Sequence, residues 1–166
     1  MRMKKLLPLG TLALAFLGLA GCGSVSVVDY NDRLVALQDV CYDAEAEMTD
    51  ARDQENYGQV RSLYEAALFT CTKSQADIAS TDAYDGDSAL RDAFDTELQL
   101  ELVYLQKLGE IIAYWDYDEL TAEQQVAEDA LWEEIDAIEE QLSDAYDVSE
   151  TAQQAFADKY GYELED

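Results

Sequence analysis

Beyond residue 8 the chain contains no proline, so no later segment is barred from continuous helix. Over the same stretch apolar residues recur every three or four positions, and the alternating runs that a half-buried strand needs are lacking. Valine and isoleucine are few, which also disfavours a sheet. These features predict an all-α chain.

The stepping resolves four helices. Val27, Tyr30, Leu34, Leu37, Cys41, Ala44, Met48 and Ala51 form a narrow stripe over 29–52, as in a bundle or coiled-coil seam. Asp53 to Asn56 interrupts it, with Asn56 the expected N-cap of a second helix over 57–80. That helix carries Tyr57, Val60, Tyr64, Ala67, Cys71, Ser74 and Ile78. The turn-rich link 81–87 contains Tyr84-Asp85-Gly86. The third helix, 88–115, is the most apolar. Leu90, Phe94, Leu98, Leu102, Leu105, Leu108, Ile112 and Trp115 line one side, and Val103, Tyr104 and Ile111 another. Such a helix is either enclosed by the bundle or meets a partner. Thr121 and Gln124 form a capping box for the fourth helix, which is expected to reach Tyr160 and stop at Gly161. Ser149 interrupts its stripe and marks a place for a kink.

Short links favour antiparallel neighbours, so the expected fold is an antiparallel up-down four-helix bundle with a long C-terminal helix. At about 1.5 Å per residue, the fourth helix would outreach the first by roughly 20 Å. Its last turns are expected to overhang the end where the first helix starts and to cover the 81–87 link.

The first 21 residues have a different character. Met1 to Lys5 is basic, Leu6 to Ala20 is apolar and uncharged, and Leu19-Ala20-Gly21-Cys22 resembles the lipobox of bacterial lipoproteins. The resemblance implies a signal peptide over 1–21, a lipidated tether over 22–28 and an acidic helical domain over 29–166. It also implies that the Cys22 thiol takes a diacylglyceryl group as a thioether. Acyl chains would then anchor the domain to a membrane without spanning it, at roughly 0.8 kcal/mol per buried methylene. Gly23 and Ser24, with no aspartate in the second position, resemble the pattern sent to the outer membrane or cell surface rather than kept at the inner membrane.

Loss of Arg2, Lys4 and Lys5 with the leader would leave seven basic residues against 37 acidic ones. Such a charge excludes a nucleic-acid partner, which needs a basic footprint. It also opposes anionic headgroups, leaving the lipid as the only membrane contact. The acidity reflects either a saline environment or a surface that binds cations.

With Cys22 committed to lipid, Cys41 and Cys71 form an even pair in an exported chain, a disulfide candidate. They lie symmetrically about the hairpin turn near Asn56, so antiparallel helices would bring them face to face. Two buried free thiols are the alternative. The chain has no histidine, which removes Ser-His and Cys-His nucleophiles and the Glu-x-x-His motif of di-iron bundles. Adjacent acids such as Glu133-Glu134 and Glu139-Glu140 diverge by about 100° on a helix and read as a solvated face. Asp82, Asp85 and Asp87 around Gly86 could offer oxygen ligands to calcium, but the EF-hand register fails there. Apart from the lipid on Cys22, no cofactor is expected.

Tyr30-Asn31-Asp32, the run Gly86 to Ala93 (GDSALRDA) and the run Gln154 to Leu164 (QAFADKYGYEL) together resemble a family of bacterial surface lipoproteins of unknown function. The resemblance implies a surface-anchored helical domain with no catalytic residues to transfer. The expectation is therefore a non-enzymatic envelope module, structural or partner-binding, with helix three's second apolar face and exposed tyrosines as its contact surface. The alternative is a divalent-cation-binding surface protein.

Overall fold

The computed structural model describes residues 25–116 and 119–164. The signal segment, Cys22 and the first part of the tether lie outside the described residues. The fold is an all-α bundle of four helices: α1 (Val27–Asp53), α2 (Tyr57–Ala79), α3 (Ala89–Ile112) and α4 (Ala122–Tyr160), with a short 3₁₀ turn, Ala113–Asp116, after α3. The helix begins two residues inside the expected tether, because the Ser26 hydroxyl accepts the Asp29 amide at 3.0 Å and caps α1.

Cross-helix contacts fix the directions. Cys41 meets Cys71 between α1 and α2. Gln75 donates to Asp95 at 2.8 Å between α2 and α3. Lys107 meets Glu134 at 2.9 Å, and Lys159 meets Asp87 at 2.7 Å, between α3 and α4. Sequence neighbours are thus antiparallel. Helix α1 packs on α2, α2 on α3 and α3 on α4, whereas α1 and α4 approach each other far less.

Helix α3 is the centre of the molecule. One side buries Leu90, Phe94, Leu98, Leu105, Leu108 and Ile112, and the other buries Ala93, Tyr104 and Ile111. The second apolar face is therefore spent inside the bundle, with only Val103 left partly exposed. This corrects the expectation that it meets an outside partner: a helix with neighbours on several sides needs apolar residues on more than one face.

Most helix ends follow their sequence signals. Thr121 and Gln124 make the reciprocal capping box at 3.2 and 2.9 Å. Gly161 adopts φ 75°, and the amides of Gly161 and Tyr162 both reach the Ala157 carbonyl, which closes α4 as a left-handed glycine cap. Asn56 occupies the N-cap of α2 but makes no capping bond. Its side chain donates to Gln59 Oε1 at 2.7 Å instead. Helix α4 runs unbroken through Ser149, whose hydroxyl is buried and donates to the Tyr146 carbonyl at 2.8 Å, satisfying itself within the helix.

The length mismatch falls at the opposite end from the one expected. The Lys159–Asp87 pair sets the last turn of α4 level with the start of α3. The 39 residues of α4 against 24 in α3 must then project beyond the far end of α3, by roughly 20 Å at ~1.5 Å per residue. Accordingly, the first buried residue of α4 is Ile135. The final turns do cover the 81–87 link, as expected.

Candidate functional site

Three regions stand apart from ordinary helix packing: the pole where α1 begins, the opposite pole, and a polar seam between α1 and α3.

At the first pole, Asp85 and Gly86 both have positive φ, 49° and 79°, and Tyr84 and Asp87 exchange backbone hydrogen bonds of 3.0 and 2.8 Å. This is the type I′ turn that an Asp-Gly pair favours. It holds Tyr84 against Tyr30 of α1 and Phe156 and Tyr160 of α4, at centroid distances of 5.3, 5.6 and 5.1 Å. Phe156 also touches Tyr162 across the glycine cap, at 6.3 Å. The Asp87 carboxylate takes the Ala89 amide at 3.1 Å and the Lys159 ammonium at 2.7 Å. These two donors hold its carboxyl below the usual aspartate range, the lysine bond being the larger cause. Asp87 is therefore a helix cap and a clasp. Asp82 and Asp85 are exposed on the rim of an open cleft of about 550 Å³ that Tyr30, Arg33 and Tyr160 also line. Among the described residues, no three or more acids or cysteines come together closely enough to hold a metal ion.

At the far pole, Tyr57 rests its ring edge-on against Trp115 at 5.2 Å. Arg61 reaches the Ile112 carbonyl at 3.5 Å below it. Tyr57 is 53 % exposed, and Val126 on the projecting turns of α4 is 69 % exposed. Among the described tyrosines only Tyr57 and Tyr146 are exposed. Among the described residues, the expected tyrosine surface thus reduces to these two, the other described tyrosines being buried or half-buried.

Cys41 and Cys71 stand at disulfide distance, Sγ–Sγ 2.01 Å, with Cα atoms 4.6 Å apart. Small buried residues within a turn of Cys71, Ala67 and Ser74, let α1 and α2 approach this closely. Glu133, Glu134, Glu139 and Glu140 are all exposed, and Glu134 meets Lys107.

The seam is the feature that the periodicity conceals. Glu97 and Glu101, one turn apart on α3, are 0 % and 2 % exposed. From α1, Gln38 donates to Glu97 Oε1 at 2.6 Å, and the Tyr42 hydroxyl donates to the same oxygen. Glu97 Oε2 and Glu101 Oε1 are buried and accept no hydrogen bond. Burial, reinforced by the negative fields of Glu45 and Glu97, pushes Glu101 up to about 8. Burial likewise raises Glu45 and raises Tyr42 and Tyr104 above the ordinary phenol range. A signal existed in the sequence: Ala93, Glu97, Glu101, Tyr104, Leu108 and Ile111 form a second stripe at helical spacing, with two acids where apolar residues belong.

Among the described residues, no helix is long and apolar enough to cross a membrane. No family model, no curated protein and no solved structure matches this chain.

Proposed function

We propose that this chain is a lipid-anchored, non-enzymatic helical module of the bacterial cell envelope, held by Cys22 and presenting its far pole to a protein partner. The lipobox-like Leu19 to Cys22 and the resemblance to surface lipoproteins support the anchor. The observation that carries the partner reading is the contrast between the poles. At the pole where α1 begins, the last turns of α4 pack over the 81–87 link beside the open cleft, whereas the far pole leaves Tyr57 and the first turns of α4 uncovered. Exposed tyrosine and half-exposed tryptophan are residues that interfaces favour. The acidic surface keeps the domain off anionic headgroups.

Two measurements test the reading. Mass spectrometry of the membrane fraction should find a thioether-linked diacylglyceryl group on Cys22, and Cys22→Ser should release the protein. An unmodified Cys22 in exported protein overturns the anchor. A photo-crosslinking residue at position 57 should give one discrete adduct in intact cells, and the same residue at exposed position 148 should give none. Equal labelling from both positions overturns the contact surface.

A further inference from the structure

We propose that Glu101 keeps its proton beside the buried carboxyl of Glu97 inside the closed α1–α3 seam, and that losing this proton loosens α1 from the rest of the bundle. The geometry leaves little alternative. Both carboxyls are buried, and side chains four residues apart on a helix lie side by side. One oxygen of each is without a partner. The donors that do reach the pair, Gln38 and Tyr42, are neutral.

Among the described residues, no cation pairs with either carboxyl. The groups facing the pair from α1 are Tyr42 and Glu45, with Arg52 acting on Glu45 and Tyr104 from farther along the helix. Tyr104 faces it from α3 itself. From α4, Glu139 adds a negative field on Glu45 and Tyr104, and Tyr146 feels the charge of Glu97. All except Arg52 are acidic or neutral, and Arg52 is itself paired with Asp53. Two ionised carboxylates in one dry site repel strongly, so one of them keeps its proton. A proton on Glu101 would supply the donor that Glu97 Oε2 lacks.

The consequence follows the connectivity. Among the described residues, the hydrogen bonds that tie α1 to α3 and α4 are few: Gln38 and Tyr42 donate to Glu97, and Gln153 donates to Asn31 at 3.1 Å. When Glu101 gives its proton to water, the pair becomes doubly negative and demands hydration. Water can enter on the side where α1 and α4 approach least. Glu101 titrates at about 8 in the fold against 4.5 when unperturbed. The folded chain therefore holds the extra proton between these values. The stability so carried is complete below the lower value and is lost as pH rises through the upper one.

The test is unfolding of the whole chain by urea across this pH range. The unfolding constant of the wild type should rise about tenfold per pH unit from ~5 to ~8, and Glu101→Gln should flatten that rise. Amide exchange around Gln38 to Glu45 should quicken above about pH 8 in the wild type, beyond the intrinsic rate, and not in Glu101→Gln. Infrared spectra of the wild type need no variant: a protonated carboxyl stretch should be present near pH 6 and absent near pH 10. Absence of that band at neutral pH overturns the proposal, as does an equal pH slope in Glu101→Gln. A calcium- or sodium-dependent stabilisation that Glu101→Gln abolishes overturns it too, because a bound cation would then stand where the proton is placed.

Discussion

The two hairpins of the bundle are held by different means. The α1–α2 hairpin buries Tyr30, Leu34, Met48, Val60 and Ile78 among small and polar residues such as Asn31, Gln38, Ala51, Ala67 and Ser74, and carries a covalent staple, Cys41–Cys71, across its middle. The α3–α4 hairpin has no staple but buries more of the large side chains, among them Leu90, Phe94, Leu98, Leu105, Ile111, Ile135 and Phe156. Thin apolar burial leaves the first hairpin dependent on its crosslink, and thick burial lets the second do without one. An acidic domain can thus place helices side by side without giving each a full apolar face.

Four measurements would break or sharpen this contrast. The largest effect is expected from Phe94→Ala, since Phe94, in the second turn of α3, is 2 % exposed. Truncating a buried phenylalanine costs about 3–5 kcal/mol, and urea unfolding should show both hairpins weakened together. Next comes the double variant Cys41→Ser, Cys71→Ser, which opens a loop of 30 residues and should cost roughly 3–4 kcal/mol on the chain-entropy account. Hydrogen exchange should then show α1 and α2 losing protection while the amides of α3 around Leu98 keep theirs. If α3 loses protection equally, the hairpins are a single unit and the contrast fails. Thr121→Ala removes the capping box of α4 and should cost about 1 kcal/mol. Because the first turns of α4 bury nothing, exchange should rise only there. Lys159→Ala should have the smallest effect. Its ammonium is exposed, and Asp87 keeps the Ala89 amide. The loss should appear as an acid limb: Asp87 in the wild type titrates below its unfolded value, so its contribution is present above that value and fades as pH falls through the lower one. In the variant that limb should move up in pH.

Much of this architecture was legible in the sequence because its signals are local. A stripe stepping by three and four fixes a helix wherever it occurs, and the Thr121–Gln124 box and Gly161 stop announce their own ends. The cysteine spacing needs only the hairpin between. What stayed hidden depends on which helices become neighbours. Periodicity shows that Tyr104 and Ile111 must be covered, but not that the bundle itself covers them. It gives the length of α4, whereas the register against α3, set by Lys107–Glu134 and Lys159–Asp87, decides which end projects. The seam was hardest to see, because a glutamate beside an apolar stripe reads as solvated until another helix closes over it. Gln38 and Tyr42 do so from 59 and 55 residues away.

The staple also has a mechanical meaning. Helix α1 begins, and α4 ends, at the same pole, where Tyr30, Tyr84 and Phe156 meet. A load applied between these two points would peel the pole apart one aromatic contact at a time rather than slide whole helices past each other. The Cys41–Cys71 bond would take the chain between them out of the force path. At about 3.5 Å per extended residue, it withholds roughly 100 Å of contour length. A domain pulled between these two ends would therefore stretch through the start of α1, the end of α2, α3 and α4, while the turn between α1 and α2 stayed slack and folded.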